Sequence, residues 1–403
     1  MAIPHVEKGP TGGGAPADNT TAAPTGNVDV RQLPLGGRID DFLNVVDYIY
    51  RDDPAFVRPL DMDLKDRLSP RKNPFFEHGE AALFCAYRNG WPVGRCSVSI
   101  DREHLGRYRD DTGFFGFFDT IDDENVSRAL LARAEGWLRG KGMKRARGPV
   151  SLNINEELGC LVDGFDTSPY ILMPHHRRYQ GGLIERAGYA KAKDVYAWHY
   201  KVGELNNRVK RAHEEIKNLP EISIRKASLK DIDRDVELLV EFFNDTWSEN
   251  WGFVPFTRAE VKKMAADFRL LLMPDITCIV NIDGEPAAMA VALPNLNELV
   301  KDMDGKLLPF GLPKLLWRLK VEGPKSARLI LLGIRRKWRH VRKYAPLSVF
   351  MYAEMNEGAK RLGIREGELS WTLEDNGRVN AGIMMMGAKQ YKTYRVYERA
   401  LPA

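Results

Sequence analysis

One stretch of this 403-residue chain is the best guide to its fold: Leu329-Ile330-Leu331-Leu332-Gly333-Ile334, followed by Arg335-Arg336-Lys337. An apolar run of this length that ends in charged residues is typical of a β-strand. A helical spacing of apolar residues follows at 347–362, and a second strand pattern follows at 368–373. Strands that alternate with helices in this way predict an α/β fold.

The same succession of elements occurs earlier in the chain. It contains strand patterns at 81–88 and 93–100 around a hairpin signal, a helix pattern at 122–139, and strand patterns at 145–155 and 190–201. The polar turns Asn155-Glu156-Glu157 and Glu374-Asp375-Asn376 occupy matching places in the two halves. We therefore predict a duplicated α/β protein with a mixed sheet, whose domains comprise residues 29–203 and 220–403, with an insertion at 295–328.

Composition limits the class of protein. Hydrophobic residues make up 44% of the chain and charged residues 29%, which is typical of a globular protein. Residues 1–28 are rich in Gly, Pro, Ala and Thr and predict a disordered tail. The sequence shows no uncharged apolar run of about 18 residues and no secretory leader, which favours a cytoplasmic location.

The four cysteines do not indicate a metal or disulfide site. Cys85, Cys96, Cys160 and Cys278 are widely spaced and form no CxxC pair. We expect buried thiols and no metal. The adjacent His175 and His176 do not change this expectation, because neighbouring residues of an extended strand point in opposite directions.

The second half resembles the GNAT acyltransferase superfamily. The resemblance rests on the strand at 329–334, the helix after it, Trp371-Thr372-Leu373-Glu374-Asp375-Asn376, and the ending from Met386 to Glu398. It covers about residues 220–400 well and extends to 28–203 as a degenerate copy. It implies central strands that separate around an acyl-CoA, with the backbone of Leu332, Gly333 and Ile334 paired to the pantetheine arm.

The resemblance also implies where the donor's phosphates bind. The family has a glycine-rich turn after this strand, whereas this chain has a cation-rich turn without glycine at 335–344. We expect the donor to be held by Arg335, Arg336, Lys337, Arg339 and Asn376. An acyl carrier protein that docks on the cations is the alternative to acyl-CoA. The matching turn of the first copy, at 119–124, is acidic and would repel phosphate.

Transfer to an amine requires a base that removes a proton from the attacking nitrogen. Glu374 follows the strand that borders the cleft in the resembled fold, and we predict it as this base. The tyrosine that protonates the leaving thiolate in the family would fall near Met384, where this sequence has none. Tyr391 or Tyr394 is expected to replace it. The alternative for the triplet at 374–376 is a turn that caps a helix.

The insertion mixes large apolar residues with cations. Between Lys301 and Lys343 there are thirteen Lys or Arg residues and three Asp or Glu residues, although the whole chain carries a net charge of only +5. A basic segment rich in Leu and Trp is typical of contact with an anionic membrane, and it favours a lipid-like substrate. The alternative is a surface helix that packs its leucines on the domain. No nucleic-acid motif accompanies the charge, so a nucleic-acid partner is not favoured.

Polar residues of the first copy are candidates for a substrate pocket. Asn153, Asn155 and Glu156 mirror the polar turn of the second copy, and we expect them either to line a pocket between the copies or to be a relic of duplication. His175 is expected to make a polar contact at the same interface.

These features predict an N-acyltransferase that moves an acyl group from a thioester to an amine. In this setting the chain is similar to the bacterial ceramide synthases, which implies a long-chain or sphingoid-base-like acceptor and a place at the inner face of the membrane. One alternative is a Fem-type aminoacyl or peptidyl transferase, whose tRNA donor would use the cations. The other is a non-catalytic lipid-binding module, which the missing glycine turn favours.

Overall fold

The computed structural model of the chain describes residues 26–402. The prediction of a disordered tail therefore lies, up to residue 25, outside the described residues. Within this range the chain forms a mixed α/β structure, as predicted. The strands are β1 (Asp29–Leu33), β2 (Gly79–Arg88), β3 (Trp91–Asp101), β4 (Thr112–Thr120), β5 (Arg145–Gly148), β6 (Cys160–Asp163), β7 (Ala190–Lys201), β8 (Ile222–Arg225), β9 (Thr277–Ile282), β10 (Glu285–Pro294), β11 (Ser326–Ile334), β12 (Glu366–Leu373) and β13 (Lys389–Ala400).

The α-helices follow the order expected for two copies of one unit. They are α1 (Asp40–Ile49), α2 (Asp61–Arg67), α3 (Phe75–His78), α4 (Arg102–Tyr108), α5 (Glu124–Gly140), α6 (Gln180–Arg186), α7 (Asn207–Lys217), α8 (Ile232–Trp247), α9 (Arg258–Leu271), α10 (Leu296–Val300), α11 (Gly311–Trp317), α12 (Arg336–Arg339), α13 (Leu347–Arg361) and α14 (Gly377–Met385).

Local sequence accounts for several element boundaries. The β2–β3 and β9–β10 hairpins turn at Asn89-Gly90 and Asp283-Gly284, where all four residues have positive φ angles between 49° and 82°, as a two-residue hairpin loop of this type requires. Helix α9 begins at a capping box, in which Glu260 N–H donates to Thr257 Oγ1 and Thr257 N–H donates to Glu260 Oε2.

One predicted strand is shorter in the structure. The pattern at 145–155 predicted a single strand, but β5 ends at Gly148. Pro149 follows, and its missing N–H cannot join a β-ladder. The chain then leaves the sheet and enters a loop that returns to it as β6.

All strands within residues 26–402 join one sheet, and its order shows that the two halves exchange strands. The order is β1-β2-β3-β4-β5-β13-β7-β12-β11-β10-β9-β8, with β6 paired to β13. The last strand of the second half, β13, lies beside β5 of the first half, and the last strand of the first half, β7, lies beside β12 of the second half. Each half therefore uses the final strand of the other to complete its part of the sheet. The domain limits given above stay a prediction.

Two strand pairs in the sheet are parallel, and each pairs over only a few residues. Strand β11 pairs with β12 from Ser326–Leu329 to Glu366–Leu369, although β11 continues to Ile334. Strand β4 pairs with β5 only from Thr112 to Phe114, although β4 continues to Thr120. Both halves therefore contain strands that separate, as the resemblance implied.

The opening of the first half is filled by its own chain. Val150 N–H donates to Phe115 O at 2.7 Å, and Ser99 Oγ donates to Leu152 O at 2.7 Å. The loop approaches so closely that a Cβ on Gly116 would lie 2.1 Å from the Val150 carbonyl oxygen, which only glycine permits. The first copy is degenerate in this physical sense, because its cleft is occupied by protein.

The sheet of the second half has helices on both faces. Ala288, Ala290 and Ala327 pack against α13 on one face, while Met289 and Val291 pack against α8 and α9 on the other. This alternation follows the two-residue period of a strand. The four cysteines are free and buried, as predicted.

Candidate active site

The opening between β11 and β12 is the candidate substrate cleft. We call it the seam, and it lies between Ile330–Ile334 of β11 and Ser370–Leu373 of β12, where the pairing of the two strands has ended. Because β11 pairs only with β10 along this length, one edge of its backbone is left without a strand partner among the described residues. On the α8 face, Trp371 contacts Trp247 at a ring-centroid distance of 6.1 Å.

Gly333 lets helix α8 approach the seam. A Cβ at this position would come within 3.0 Å of the Thr246 side chain near the end of α8. Leu332 and Ile334 are half-buried and pack toward the α13 face. The three residues predicted to pair with the donor thus lie along the unpartnered edge of β11.

A buried polar cluster lies where the two strands begin to separate. The Glu368 cluster comprises Arg328, Glu368, Ser370 and Tyr391. Arg328 Nε donates to Ser370 Oγ at 2.7 Å, and Ser370 Oγ donates to Glu368 Oε1 at 2.5 Å. Arg328 Nε lies 3.7 Å from Glu368 Oε1, and the Tyr391 hydroxyl donates to Glu368 Oε2. The carboxylate is 1% exposed, so each of its oxygens is held by protein donors.

Burial governs the ionisation of the groups around Glu368. Burial lowers the pKa of Arg328, although the charge of Glu368 opposes this shift. Burial and then the charge of Glu368 raise the pKa of Tyr391 far above its usual value. The pKa of Tyr394 is also raised by burial, and its buried hydroxyl has no hydrogen-bond partner among the described residues. Tyr394 is thus a fully buried tyrosine whose hydroxyl is not satisfied by the described residues.

Lys392 is a fully buried lysine close to this cluster. Its ammonium group donates to the carbonyl oxygens of Thr167 at 2.7 Å and Ser168 at 3.3 Å. Burial lowers the pKa of Lys392 to about 8, and the charge of Glu368 opposes the shift. The segment that binds Lys392 belongs to the first half, so the first copy covers the Glu368 cluster.

Sequence reasoning named Tyr391 and Tyr394 but missed Arg328, Glu368, Ser370 and Lys392. A usable signal was present, because Glu368 and Ser370 stand two residues apart in a strand whose other residues are mostly apolar. Charged residues at alternating positions of such a strand point to one face and require partners when that face is buried.

Glu374 lies at the end of β12, outside the Glu368 cluster. Its Oε2 accepts from Lys191 Nζ at 2.6 Å, and its Oε1 accepts from Asp194 N–H at 3.1 Å. The side chain is 25% exposed. Asn376 caps helix α14 by accepting from Val379 N–H, which is the helix-capping role considered as the alternative for this triplet.

The predicted donor cations surround the end of β11 but are matched by acidic residues. Arg335 pairs with Glu241 at 2.9 Å and stacks on Phe242, and Arg336 pairs with Glu249 at 3.1 Å. Lys337 pairs with Glu285. Arg339 donates to the carbonyls of Thr246 and Ile334, both at 3.3 Å. The turn is therefore less positive than its sequence indicated.

The predicted pocket residues of the first copy have separate partners. Asn153 Nδ2 donates to Glu260 Oε1 at 3.3 Å, and Asn155 Nδ2 donates to Val254 O at 3.1 Å, so both connect the two halves. Glu156 instead pairs with Arg67 at 2.8 Å. His175 Nε2 bonds Asp53 at 3.0 Å, and burial lowers the pKa of His175.

An apolar cavity lies beside the seam on the α13 face. Its volume is about 60 Å³, and its walls include Leu329, Leu369, Tyr352, Met355 and Met386. Leu329 and Leu369 are the last paired residues of β11 and β12, so the cavity adjoins the point where the seam opens.

Sequence comparison identifies the family. No family model matches the chain. The bacterial ceramide synthase of Caulobacter vibrioides (strain NA1000 / CB15N) is 40% identical over 383 residues, which cover 93% of this chain and 98% of the relative. The chain belongs to the bacterial ceramide synthase family. Protein YghO of Escherichia coli (strain K12) is 38% identical over 355 residues, covering 88% of this chain and 90% of that protein.

Solved structures confirm the fold predicted for this bacterial ceramide synthase family member. The tandem GNAT protein from the clavulanic acid biosynthesis pathway matches with a TM-score of 0.55 at 12% identity, covering 94% of this chain and 99% of that chain. The GCN5-related N-acetyltransferase from Sphaerobacter thermophilus matches with a TM-score of 0.52 at 12% identity, covering 93% and 96%. The protein is an N-acyltransferase with tandem GNAT-like domains.

No helix within residues 26–402 has the length and apolar character needed to cross a membrane. In the same range, no group of three or more His, Cys, Asp or Glu side chains is arranged to hold a metal ion.

Proposed function

We propose that the protein transfers an acyl group from a thioester to the amine of a long-chain, sphingoid-base-like lipid. The observation that carries the proposal is the seam, which separates two central strands in the second half while the matching opening of the first half is filled. The similarity to the Caulobacter bacterial ceramide synthase supports an amine of this class.

The donor site follows from the free edge of β11. A thioester donor on CoA or an acyl carrier protein has a pantetheine arm with amide groups, and these can pair with an exposed strand edge as an added strand does. Leu332, Gly333 and Ile334 supply this edge in the proposal. Arg335, Arg336, Lys337 and Arg339 then lie near the phosphate end of the arm, and the apolar cavity beside Leu329 is available to the first carbons of the acyl chain.

The chemistry requires a proton acceptor close to the acyl carbon. The neutral amine attacks the thioester carbonyl, a C–N bond forms, the C–S bond breaks, and the amine proton passes to a carboxylate while the thiolate takes up a proton. Glu374 is our sequence-based candidate for the base, and Glu368 is a second candidate because it lies at the start of the seam. Tyr394 has an unpartnered hydroxyl that can donate to the oxyanion or the thiolate.

The acceptor side is proposed to be the α8 face. The Trp247–Trp371 pair lies on this face. Leu369 packs on the α13 face, so its neighbours Glu368 and Ser370 are expected on the opposite, α8 face. Asn153, Asn155 and Glu156 lie in the loop between β5 and β6, and His175 lies in the loop after β6. They remain candidates for acceptor contacts. A tRNA donor is not favoured, because no nucleic-acid-binding motif accompanies the cations in the sequence.

A direct assay tests the proposal. The purified chain is incubated with acyl-CoA or acyl carrier protein and with sphinganine, and mass spectrometry detects the new amide while a thiol reagent follows release of the carrier. We expect both products in equal amounts. Thiol release without amide, or amide formation from aminoacyl-tRNA alone, would contradict the proposal.

A further inference from the structure

The insertion presents large apolar side chains to solvent. Leu308 and Phe310 are each 80% exposed, Val321 is 60% exposed and Trp317 is 57% exposed. We call these four residues the apolar tip. Leu312 and Leu316 beside them are also exposed. A cluster of this kind on a protein surface is typical of an interaction site.

The tip is not the side by which the insertion packs on the protein. Leu315 and Leu319 are buried and pack with Leu299, Val300 and Met303, and with Val57 of the first half. Leu315 and Leu319 are therefore the leucines by which the insertion packs on the protein, as in the alternative of a surface helix. Phe310, Trp317 and Val321 follow at intervals of seven and four residues and stay outside. A surface helix normally carries polar residues on that side.

Cations accompany the tip. Between Lys301 and Lys325 the chain contains six Lys or Arg residues and three Asp or Glu residues. Asp302 takes up two of these cations, since it bonds Lys314 Nζ at 2.8 Å and Arg318 Nη1 at 2.6 Å. Lys320 Nζ donates only weakly, to Leu270 O at 3.4 Å. Lysines next to exposed Leu, Phe and Trp side chains match the boundary between lipid headgroups and acyl chains.

We propose that the apolar tip inserts into the headgroup boundary of a membrane that contains anionic lipid. The tip consists of side chains that protrude from a segment packed on the protein, and protruding side chains can enter a fluid lipid surface. The net positive charge around the tip favours a surface that contains anionic lipid. The biological reason for this contact rests on the proposed function, because a long-chain amine acceptor resides in a membrane. Membrane binding itself does not require acyl transfer.

The test measures membrane binding without using the reaction. The full chain is sedimented with vesicles of phosphatidylglycerol and phosphatidylethanolamine, and separately with vesicles of phosphatidylcholine. We expect binding to the anionic vesicles and at least about tenfold weaker binding of a triple variant, Phe310→Ser, Trp317→Ser and Val321→Ser. Trp91→Ser with Leu229→Ser serves as the matched control, since both residues are exposed large apolar side chains outside the insertion.

Each outcome of this test either supports or overturns the contact between the apolar tip and an anionic membrane. If the wild-type chain does not sediment with the anionic vesicles, or if the triple variant binds as well as the wild type, the inference is overturned. If the triple variant instead abolishes a dimer detected by light scattering while neither protein binds vesicles, the tip is a protein interface and the inference is also overturned. Amide formation from sphinganine dispersed in detergent micelles is measured in parallel. Its absence in the wild type contradicts the proposed function and leaves the vesicle result valid.

Discussion

At the residue scale, two carboxylates compete for the role of base. Glu368 is buried within hydrogen bonds from Ser370 and Tyr391, whereas Glu374 is ion-paired with Lys191 at the edge of the protein. If Glu368 is the base, Glu368→Gln is expected to lower kcat by about 100-fold or more, because the amide cannot accept the amine proton. If Glu374 is the base, Glu374→Ala abolishes turnover with folding intact. Steady-state kinetics on both variants decide the question.

Controls for this comparison come from the same strand. Glu366→Gln changes a carboxylate on β12 that bonds His199 Nε2, and it is expected to leave kcat unchanged.

Glu368→Gln leaves Arg328 without its counter-charge, at a cost of about 3–5 kcal/mol of stability. Tyr391→Phe therefore serves as a milder test, because it removes one hydrogen bond to Glu368 and keeps the ion pair. Normal turnover in Tyr391→Phe and in a folded Glu368→Gln would contradict the role of the cluster.

The sequence pointed to Tyr391 and Tyr394, whereas the only local signal of the charged cluster was the spacing of Glu368 and Ser370 in β12. Tyr391 and Tyr394 were named because the resembled family needs a proton donor, and both lie near Glu368. Arg328 was counted only as part of a cation-rich segment, yet it is buried beneath Ile171 of the first half, whose carbonyl it bonds at 2.8 Å. A partner about 157 residues away along the chain leaves no trace in a local pattern.

At the element scale, the cation turn after β11 is the feature that sequence overestimated. The cations directly follow β11, but helix α8, the turn after it and strand β10 supply the carboxylates Glu241, Glu249 and Glu285, respectively. These pairs are exposed and individually weak, so a phosphate can displace them.

We expect the triple variant Arg335→Ala, Arg336→Ala and Arg339→Ala to raise the KM for acyl-CoA about tenfold at low salt, with a smaller difference at about 0.5 M salt, because screening removes the advantage of the cations. Initial rates at several salt concentrations provide the measurement. Replacement of Lys72, Arg102 and Lys144 by Ala, three exposed cations of the first half, is the control and is expected to change nothing. An equal KM for wild type and variant at every salt concentration would exclude these cations from the donor site.

Strands and helices were predicted nearly to their ends, because each depends on local periodicity. Strand β7, for example, has the bounds that the sequence pattern at 190–201 indicated. The predicted strand at 145–155 was too long. The pattern of apolar residues continues beyond Pro149, but the hydrogen-bonded ladder ends there because proline has no N–H to donate. Which strand neighbours which was not predictable, since β13 and β7 exchange halves without any change in their own pattern.

At the scale of the whole molecule, His78 connects the two halves. Its Nδ1 bonds Asp101 at 3.0 Å and its Nε2 bonds Glu260 of α9 at 3.3 Å. Burial opposes the charged imidazole, but the two carboxylates outweigh it and raise the pKa of His78 to about 10. A raised folded pKa stabilises the folded state fully below the unfolded value of about 6.5, and this contribution is lost as the pH rises through about 10.

We therefore expect His78→Gln to be less stable than the wild type by about 1–2 kcal/mol below pH 6.5, with the difference vanishing toward pH 10. The value allows for the solvent that still reaches this side chain, which is 10% exposed. Urea unfolding at several pH values measures it. The exposed His340, replaced by Gln, is the control and is expected to show a small difference that does not follow this course. A pH-independent loss in His78→Gln would mean that the ring acts by packing alone.

The exchange of β7 and β13 has a consequence for how the protein is made. During translation, the ribosome releases β5 long before β13, yet β13 is the neighbour that β5 requires. Until that strand emerges, the nascent chain exposes the free edges of two incomplete sheets, which are sites of aggregation. We therefore expect the nascent chain to need a chaperone that covers the early strands. Chains truncated before β13 are expected to be degraded.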